Sequence, residues 1–393
     1  MRIAILSSRF PYPLERGDKL RLFHQLKVLS RFHEVFLYTV NDDIPSKEDM
    51  DEVSLYCQKI VVFQSTWLQK MTGLIYALIN GWPFQSGLNF SPKFEKQLNH
   101  DLKQQGIDVV YCQLIRMAPY GQKLFLHKVL DYMDALGMGM EKRADLSSWP
   151  LRWLYRLEAG RVKKYEKSLS LHFNALSVIT QADALALDLP AAHAPLEIVA
   201  NGIDTHYFVA EKNYKQSYDV GFVGNLGYLP NIGAVQFLVN EIKPLFFKQL
   251  GYNLKILVSG ARPASEVIAL SRENVEVVSW VDDIRTSYWK MKILVAPIFY
   301  GTGQQNKILE AMACGIPVIC SPEVAIGVGA THQQELLVAE DAAQFVKAID
   351  LLLSDPIIGQ RLVEKARAFV EQQYSWEKNT LKLSNLLNTK DIV

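Results

Sequence analysis

Short apolar runs of four to seven residues recur along the whole chain, separated by longer stretches with helical periodicity. That alternation calls for βαβ units and parallel sheets. The runs are Ile3–Leu6, Val35–Thr39, Ile60–Phe63, Asp108–Tyr111, Lys128–Leu130, Ser177–Ile179 and Glu197–Val199 in the first half. In the second half they are Asp219–Val223, Leu254–Val258, Val275–Val278, Ile293–Ala296, Pro317–Ile319 and Glu335–Val338. The class is therefore α/β, with one open sheet in each half. No short period repeats, so a solenoid or propeller is excluded.

A chain of 393 residues exceeds what one hydrophobic core usually supports, so two domains are expected. The segment 188–196, DLPAAHAPL, has two prolines and no amphipathic pattern and reads as the linker. The expected division is 1–190, 191–375 and a C-terminal helix over 376–393 that packs back on the first domain. Two open sheets in tandem place a ligand in a crevice between their C-terminal strand edges.

Composition narrows the function classes. Lys and Arg number 42 against 41 Asp and Glu, which leaves no electrostatic footprint for nucleic acid. Cys57, Cys112, Cys314 and Cys320 form no CxxC pair and read as reduced thiols of a cytoplasmic protein. A strand beginning at Arg2 leaves no space for a signal peptide, so export by that route is not expected. The charge-free run from Met71 is broken by Asn80, Gly81 and Pro83 and is too short to span a bilayer.

The most informative segment is Phe299–Cys320, FYGTGQQNKILEAMACGIPVIC. Gly301 and Gly303 follow a strand, a helix is expected from about Gln304 to Cys314, and Gly315 stands where a left-handed cap is wanted. The helix N-terminus offers free N–H groups and a positive dipole end, and Gly303 permits close approach by a phosphate. Lys307 in the first turn opposes the dipole unless an anion sits beside it. Glu310 follows one turn later, able to accept from two ribose hydroxyls. By pattern alone, Lys307 and Glu310 equally suit an i,i+3 surface pair above a core of Leu309, Met312 and Ala313.

The string LEAMACGIPV, preceded by GTGQQNK and joined with NGID at Asn201–Asp204, resembles the family-4 retaining glycosyltransferases of the GT-B fold. FVGNLGYLPN at Phe222–Asn231, VDD at Val281–Asp283 and YSW at Tyr374–Trp376 fall in that family's order. The QNK, YLPN, LDYMDA and RLEAGRVKKYE strings look like sugar transferases of bacterial exopolysaccharide and exosortase loci. The resemblance implies two Rossmann-like domains facing a cleft, a UDP- or GDP-sugar donor, no permanently bound cofactor and no metal. It also implies a glycan or lipid-linked acceptor.

Carried over by position, the resemblance makes Glu310 the ribose-holding glutamate, while the family's first glutamate falls at Thr302. The donor set it implies is Gly17, Gly224, Asn225, Arg262, Val281, Thr302, Gly303, Gln304, Asn306, Lys307, Ile308 and Glu310. Many relatives supply an Arg and a Lys to the pyrophosphate from the loop and helix after the first strand of this domain. Asn225 and Asn231 stand here instead, so the cationic work falls to Lys307; a loop that merely turns the chain is the alternative.

In the first half, the loop SSRFPYPLERGD at 7–18 precedes a helix expected near Lys19 with Asp18 as its cap. Arg9, Arg16, Lys19 and Arg21 would attract a phosphorylated acceptor or the leaving group, or else form a solvated basic loop. Asp131 and Asp134 follow an apolar strand and could orient an acceptor hydroxyl, or one of them could cap a helix. The aromatic and basic stretches 67–84 and 149–167 could rest on an anionic membrane, although packing within the first domain also explains them. A sugar-nucleotide epimerase of the same fold and a non-catalytic nucleotide-sugar binder remain open. A nicotinamide-dependent dehydrogenase is disfavoured because SSRFPYP replaces GxGxxG after the first strand.

Overall fold

The computed structural model describes every residue except 146, 212, 301, 302 and 389–393. The chain divides into two compact units, Met1–Gly202 with Trp376–Val393, and Ile203–Ser375. Each expected apolar run overlaps a strand.

The first unit carries β1 (Arg2–Ser7), β2 (Glu34–Asn41), β3 (Lys59–Gln64), β4 (Val109–Gln113), β5 (His127–Met133), β6 (Ala175–Val178) and β7 (Leu196–Ile198). They form one parallel sheet in the order β3-β2-β1-β4-β5-β6-β7. Side chains alternate across a strand. Ile3 and Ile5 accordingly join one buried cluster, and Ala4 and Leu6 the other.

The segment read as a linker instead ends in β7, which pairs with β6 at the sheet edge. The division therefore comes after Gly202 and not near residue 190. A side chain on Gly202 would lie 2.4 Å from Trp376, so the chain passes closely beneath the C-terminal helix Trp376–Leu387. Leu383 and Leu387 of that helix enter the Ile3–Ile5 cluster, and Trp376 stacks on His24 at 4.6 Å. The helix expected at Lys19 begins at Gly17, and Asp18 in its first turn pairs with Arg9 and does not cap it.

The second unit carries β8 (Tyr218–Val223), β9 (Ile256–Ser259), β10 (Val275–Val278), β11 (Met291–Ala296), β12 (Val318–Cys320) and β13 (Leu337–Val338). Their order is β10-β9-β8-β11-β12-β13, again parallel. Both sheets are two-faced, which explains why their strands read as unbroken apolar runs. All four cysteines are free thiols. Among the described residues no helix is long and apolar enough to cross a membrane.

Candidate functional site

Strand order in the second unit reverses between β8 and β11, so the loops after those strands diverge to opposite faces and leave a crevice at the carboxyl edge. The loop after β8 is locked to the loop after β9. Leu226 N–H donates to Ala261 O at 2.9 Å, and Ala264 N–H to Leu226 O at 3.2 Å. A side chain on Gly260 (φ 154°) would lie 1.6 Å from Gly224 O, so glycine is required there. Arg262 holds a φ of 55° in the same loop, a conformation side chains seldom adopt.

Most amides of the Gly224–Tyr228 loop are therefore already used. Gly224 N–H donates to Ser259 O, Gly227 N–H to Asn225 Oδ1 and Tyr228 N–H to Asn225 O. The expected backbone cradle for phosphate is correspondingly small. Gly224 serves a different purpose, because a Cβ at that position would lie 3.0 Å from Lys307 Nζ.

The helix Asn306–Ala313 drives Ile308, Leu309, Ala311, Met312 and Ala313 fully into the core. Lys307 and Glu310 are left on its other face. Lys307 Nζ donates to Asn231 Oδ1 at 2.6 Å and stands 4.6 Å from the Phe222 ring; Asn231 Nδ2 in turn donates to Asn225 O at 2.8 Å. Burial pulls the Lys307 ammonium down to about 7, with Glu310 opposing the shift. Glu310 accepts from the buried Tyr288 hydroxyl at 2.6 Å, and burial raises its carboxyl above the usual range while Tyr288 and Lys307 oppose. These two groups are not a solvated surface pair.

The Gln305 side chain makes no capping hydrogen bond to this helix. The first amides of a helix have no intrahelical partner, so the end is suited to an anion beside Lys307. Gly303 (φ 81°) has open space around its Cβ position, and Gln304 Nε2 reaches Asn306 Oδ1 at 3.3 Å. Ile308 is a correction: its side chain is fully buried and its amide bonds Gln305 O at 3.0 Å, so neither is free for a ligand. Thr302 lies outside the described residues. Val281 is half-buried beyond β10, and Asp283 beside it is taken up by Arg285 and Tyr207. Tyr288 carried no sequence signal, because its bond to Glu310 arises only from packing.

In the first unit Asp131 and Arg21 are each 0% exposed and paired at 2.7 Å. Asp131 also accepts from Tyr111 and Ser177, and Arg21 donates to Val199 O and Asn201 Oδ1. This closed network fastens β4, β5, β6 and the chain beyond β7 to the helix Gly17–Leu29. Asp131 is thus unavailable to an acceptor and Arg21 is absent from the basic loop, contrary to expectation.

Asp134 stands apart from that network. Met133 before it has a φ of 64°, where the β5–β6 register shifts, and this re-aims the chain at the strand end. The helix Leu136–Asp145 after it takes its caps elsewhere, with Ala135 N–H donating to Asp183 and Gly137 N–H to Glu166. Asp134 is not that cap. Burial, reinforced by Asp183, pushes its carboxyl up to about 6, against the pull of Arg116.

The first sheet has its own switch point, between β1 and β4. A pocket of about 600 Å³ opens there, lined by Arg9, Arg16, Lys19 and Arg116 among others. Arg116 was missed in the sequence, although a residue soon after a parallel strand is where ligand contacts are expected. Gly17 is exposed at the first position of its helix with nothing within 4 Å of its Cβ position, so backbone there is accessible.

Residues 217–355 match the family model for glycosyl transferases group 1. A Klebsiella pneumoniae protein described as an uncharacterized 44.6 kDa protein in the cps region is 23% identical over 404 residues, spanning 96% of this chain and 97% of that one. Sucrose-phosphate synthase from Thermosynechococcus elongatus has a TM-score of 0.72 at 17% identity, over 98% of both chains. Anabaena HepE in complex with UDP has a TM-score of 0.67 at 12% identity, over 98% of this chain and 99% of that one. These likenesses bear out the α/β GT-B fold implied by the motifs, and the matched segment contains both Phe222–Asn231 and Phe299–Cys320.

Proposed function

We propose that this chain, with its group 1 glycosyl transferase domain at residues 217–355, moves a sugar from a UDP- or GDP-sugar to a glycan or lipid-linked acceptor in bacterial polysaccharide synthesis. The bond from the anomeric carbon to the diphosphate breaks and a bond to the acceptor oxygen forms on the same face. The acceptor proton leaves on a phosphate oxygen. Lys307 and the uncapped amides of its helix meet the charge that builds on the departing diphosphate. Glu310 accepts from the ribose hydroxyls, and Asp134 orients the acceptor hydroxyl. No metal is assigned a role.

The observation that carries this reading is Lys307, a cation enclosed beside Gly224 and Phe222 with the neutral Asn231 as its one hydrogen-bond partner among the described residues. Placing an ammonium there costs free energy that a bound diphosphate would return. Support for the donor class comes from the Anabaena relative, whose complex contains UDP. Support for the biological setting comes from the Klebsiella relative of the cps region.

The enzyme works in the cytoplasm, resting on the membrane through the first unit. Trp67, Leu68 and Ile79 of one helix and Trp149, Trp153 and Leu157 at another are at least 48% exposed, with Arg152 and Arg156 beside the latter. Vesicle flotation tests this: binding to anionic but not neutral vesicles is expected, and no binding to either overturns it. For the reaction itself, nucleotide-sugar turnover is measured with and without a panel of polysaccharide-pathway acceptors. Acceptor-dependent release of nucleoside diphosphate is expected; conversion of the sugar nucleotide without acceptor would instead indicate an epimerase.

A further inference from the structure

The pocket in the first unit is built from loops whose order follows from the sheet. Along the carboxyl edge come the loop after β2, with Asp42 and Asp43, then the loop after β1, with Arg9 and Arg16, then Arg116 after β4. At the β2 end of the pocket a cation is already matched, Lys70 pairing with Asp42 at 2.7 Å, whereas Arg16 and Arg116 have no carboxylate at ion-pair distance among the described residues.

The cations there are short of anions. Arg9 pairs with Asp18, but Lys19 donates to Tyr12 O at 3.2 Å and has no carboxylate at ion-pair distance among the described residues. Arg16 is exposed with no ion-pair partner among the described residues. Arg116 is the most unusual of them. Its Nε donates to Gln85 Oε1 at 3.2 Å, and no carboxylate lies at ion-pair distance among the described residues. A guanidinium has five N–H donors in a fixed fork that matches an oxyanion. Burial, with Arg9 and Arg16 nearby, disfavours its charge, and Asp18 and Asp134 only partly compensate.

We propose that this pocket selects an acidic acceptor, its phosphate or carboxylate held by Arg116 and Arg16 and its hydroxyl groups held by Asp43. The inference rests on the proposed transferase reading and deepens it by naming the acceptor class. An oxyanion beside Arg116 supplies the missing partner. Asp134, which interacts electrostatically with Arg116, is then near the same molecule.

The test titrates the whole chain, with and without saturating UDP, with geranyl diphosphate, methyl glucuronide and the uncharged methyl glucoside. At least one acidic probe is expected to bind tenfold or more tightly than the glucoside. The preferred probe distinguishes a phosphate from a carboxylate source. Arg116→Gln and Arg16→Gln should each weaken that binding at least tenfold while UDP affinity stays unchanged, and Arg116→Lys should recover part of it. Arg16 is exposed, so its variant keeps the fold even if Arg116→Gln does not. Equal binding of all three probes, or unchanged binding in both Gln variants, overturns the proposal. Loss of UDP binding alone would instead count against the donor site.

Discussion

Lys307 Nζ lies 2.6 Å from Asn231 Oδ1, so the cation sits on the helix after β11 and its neutral partner on the helix after β8. Gly224 clears the space between them. Lys307→Met keeps the length of the stem and removes the charge. Nucleoside diphosphate affinity should fall at least tenfold, about 1.4 kcal/mol or more, with the variant still folded. Calorimetry of UDP and GDP binding beside a thermal melt checks both points.

The same site should take up a proton when it binds its donor. Lys307 is pulled down to about 7 in the free protein, and an adjacent diphosphate raises it. At pH 8 the free amine is mostly neutral, so binding draws in close to one proton and affinity falls as pH rises above 7. Calorimetry at pH 8 in buffers of different ionisation enthalpy measures the uptake; Lys307→Met should abolish it.

Tyr288→Phe removes the hydroxyl that fixes Glu310. A buried carboxylate left short of a donor costs on the order of 1–3 kcal/mol. The Glu310 carboxyl should move further up, because Tyr288 opposes its rise. Reduced thermal stability with nucleotide affinity weakened several-fold is expected, and unchanged values of both would contradict the assigned role.

Asp134 gives a pH signature of either sign according to the readout. Its carboxyl is raised to about 6, so the folded protein holds this proton between the unfolded value of about 4 and 6. The group's stabilising contribution is full below pH 4 and lost as pH rises through 6. Asp134→Asn should therefore raise the unfolding free energy at pH 7 by on the order of 3 kcal/mol and leave it unchanged near pH 4. Transfer activity should fall in the same variant, and the wild-type rate should show an acid limb near pH 6 that the variant lacks.

Arg21 and Asp131 predict the opposite behaviour, a pure loss of stability. Removing one partner of a buried pair typically costs about 3–5 kcal/mol. Asp131→Ala leaves the Arg21 guanidinium uncompensated and frees Tyr111 and Ser177. Denaturant unfolding should show that loss.

The sheets were legible because the inner strands, such as β1, β4, β8 and β11, are buried on both faces and read as apolar runs bounded by polar loops. The unit boundary was misplaced because 188–196 has a linker's composition but ends in β7, whose edge position is a tertiary outcome. Asp131 and Asp134 look equivalent in sequence, three residues apart after the same apolar run. Strand alternation and the positive φ at Met133 send one into a closed network and the other to the sheet edge. Lys307 was found from its place in a helix N-terminus, whereas Tyr288 and Arg116 depend on partners 22 and 31 residues distant.

The central claim, a nucleoside diphosphate site built on Glu310 and Lys307, is tested most directly by calorimetric titration of wild type and Glu310→Ala with UDP and with GDP, without added metal. One nucleotide should bind the wild type, and the variant should lose that binding while remaining folded. Failure of both nucleotides to bind folded wild-type protein, or equal binding by the variant, would contradict the account.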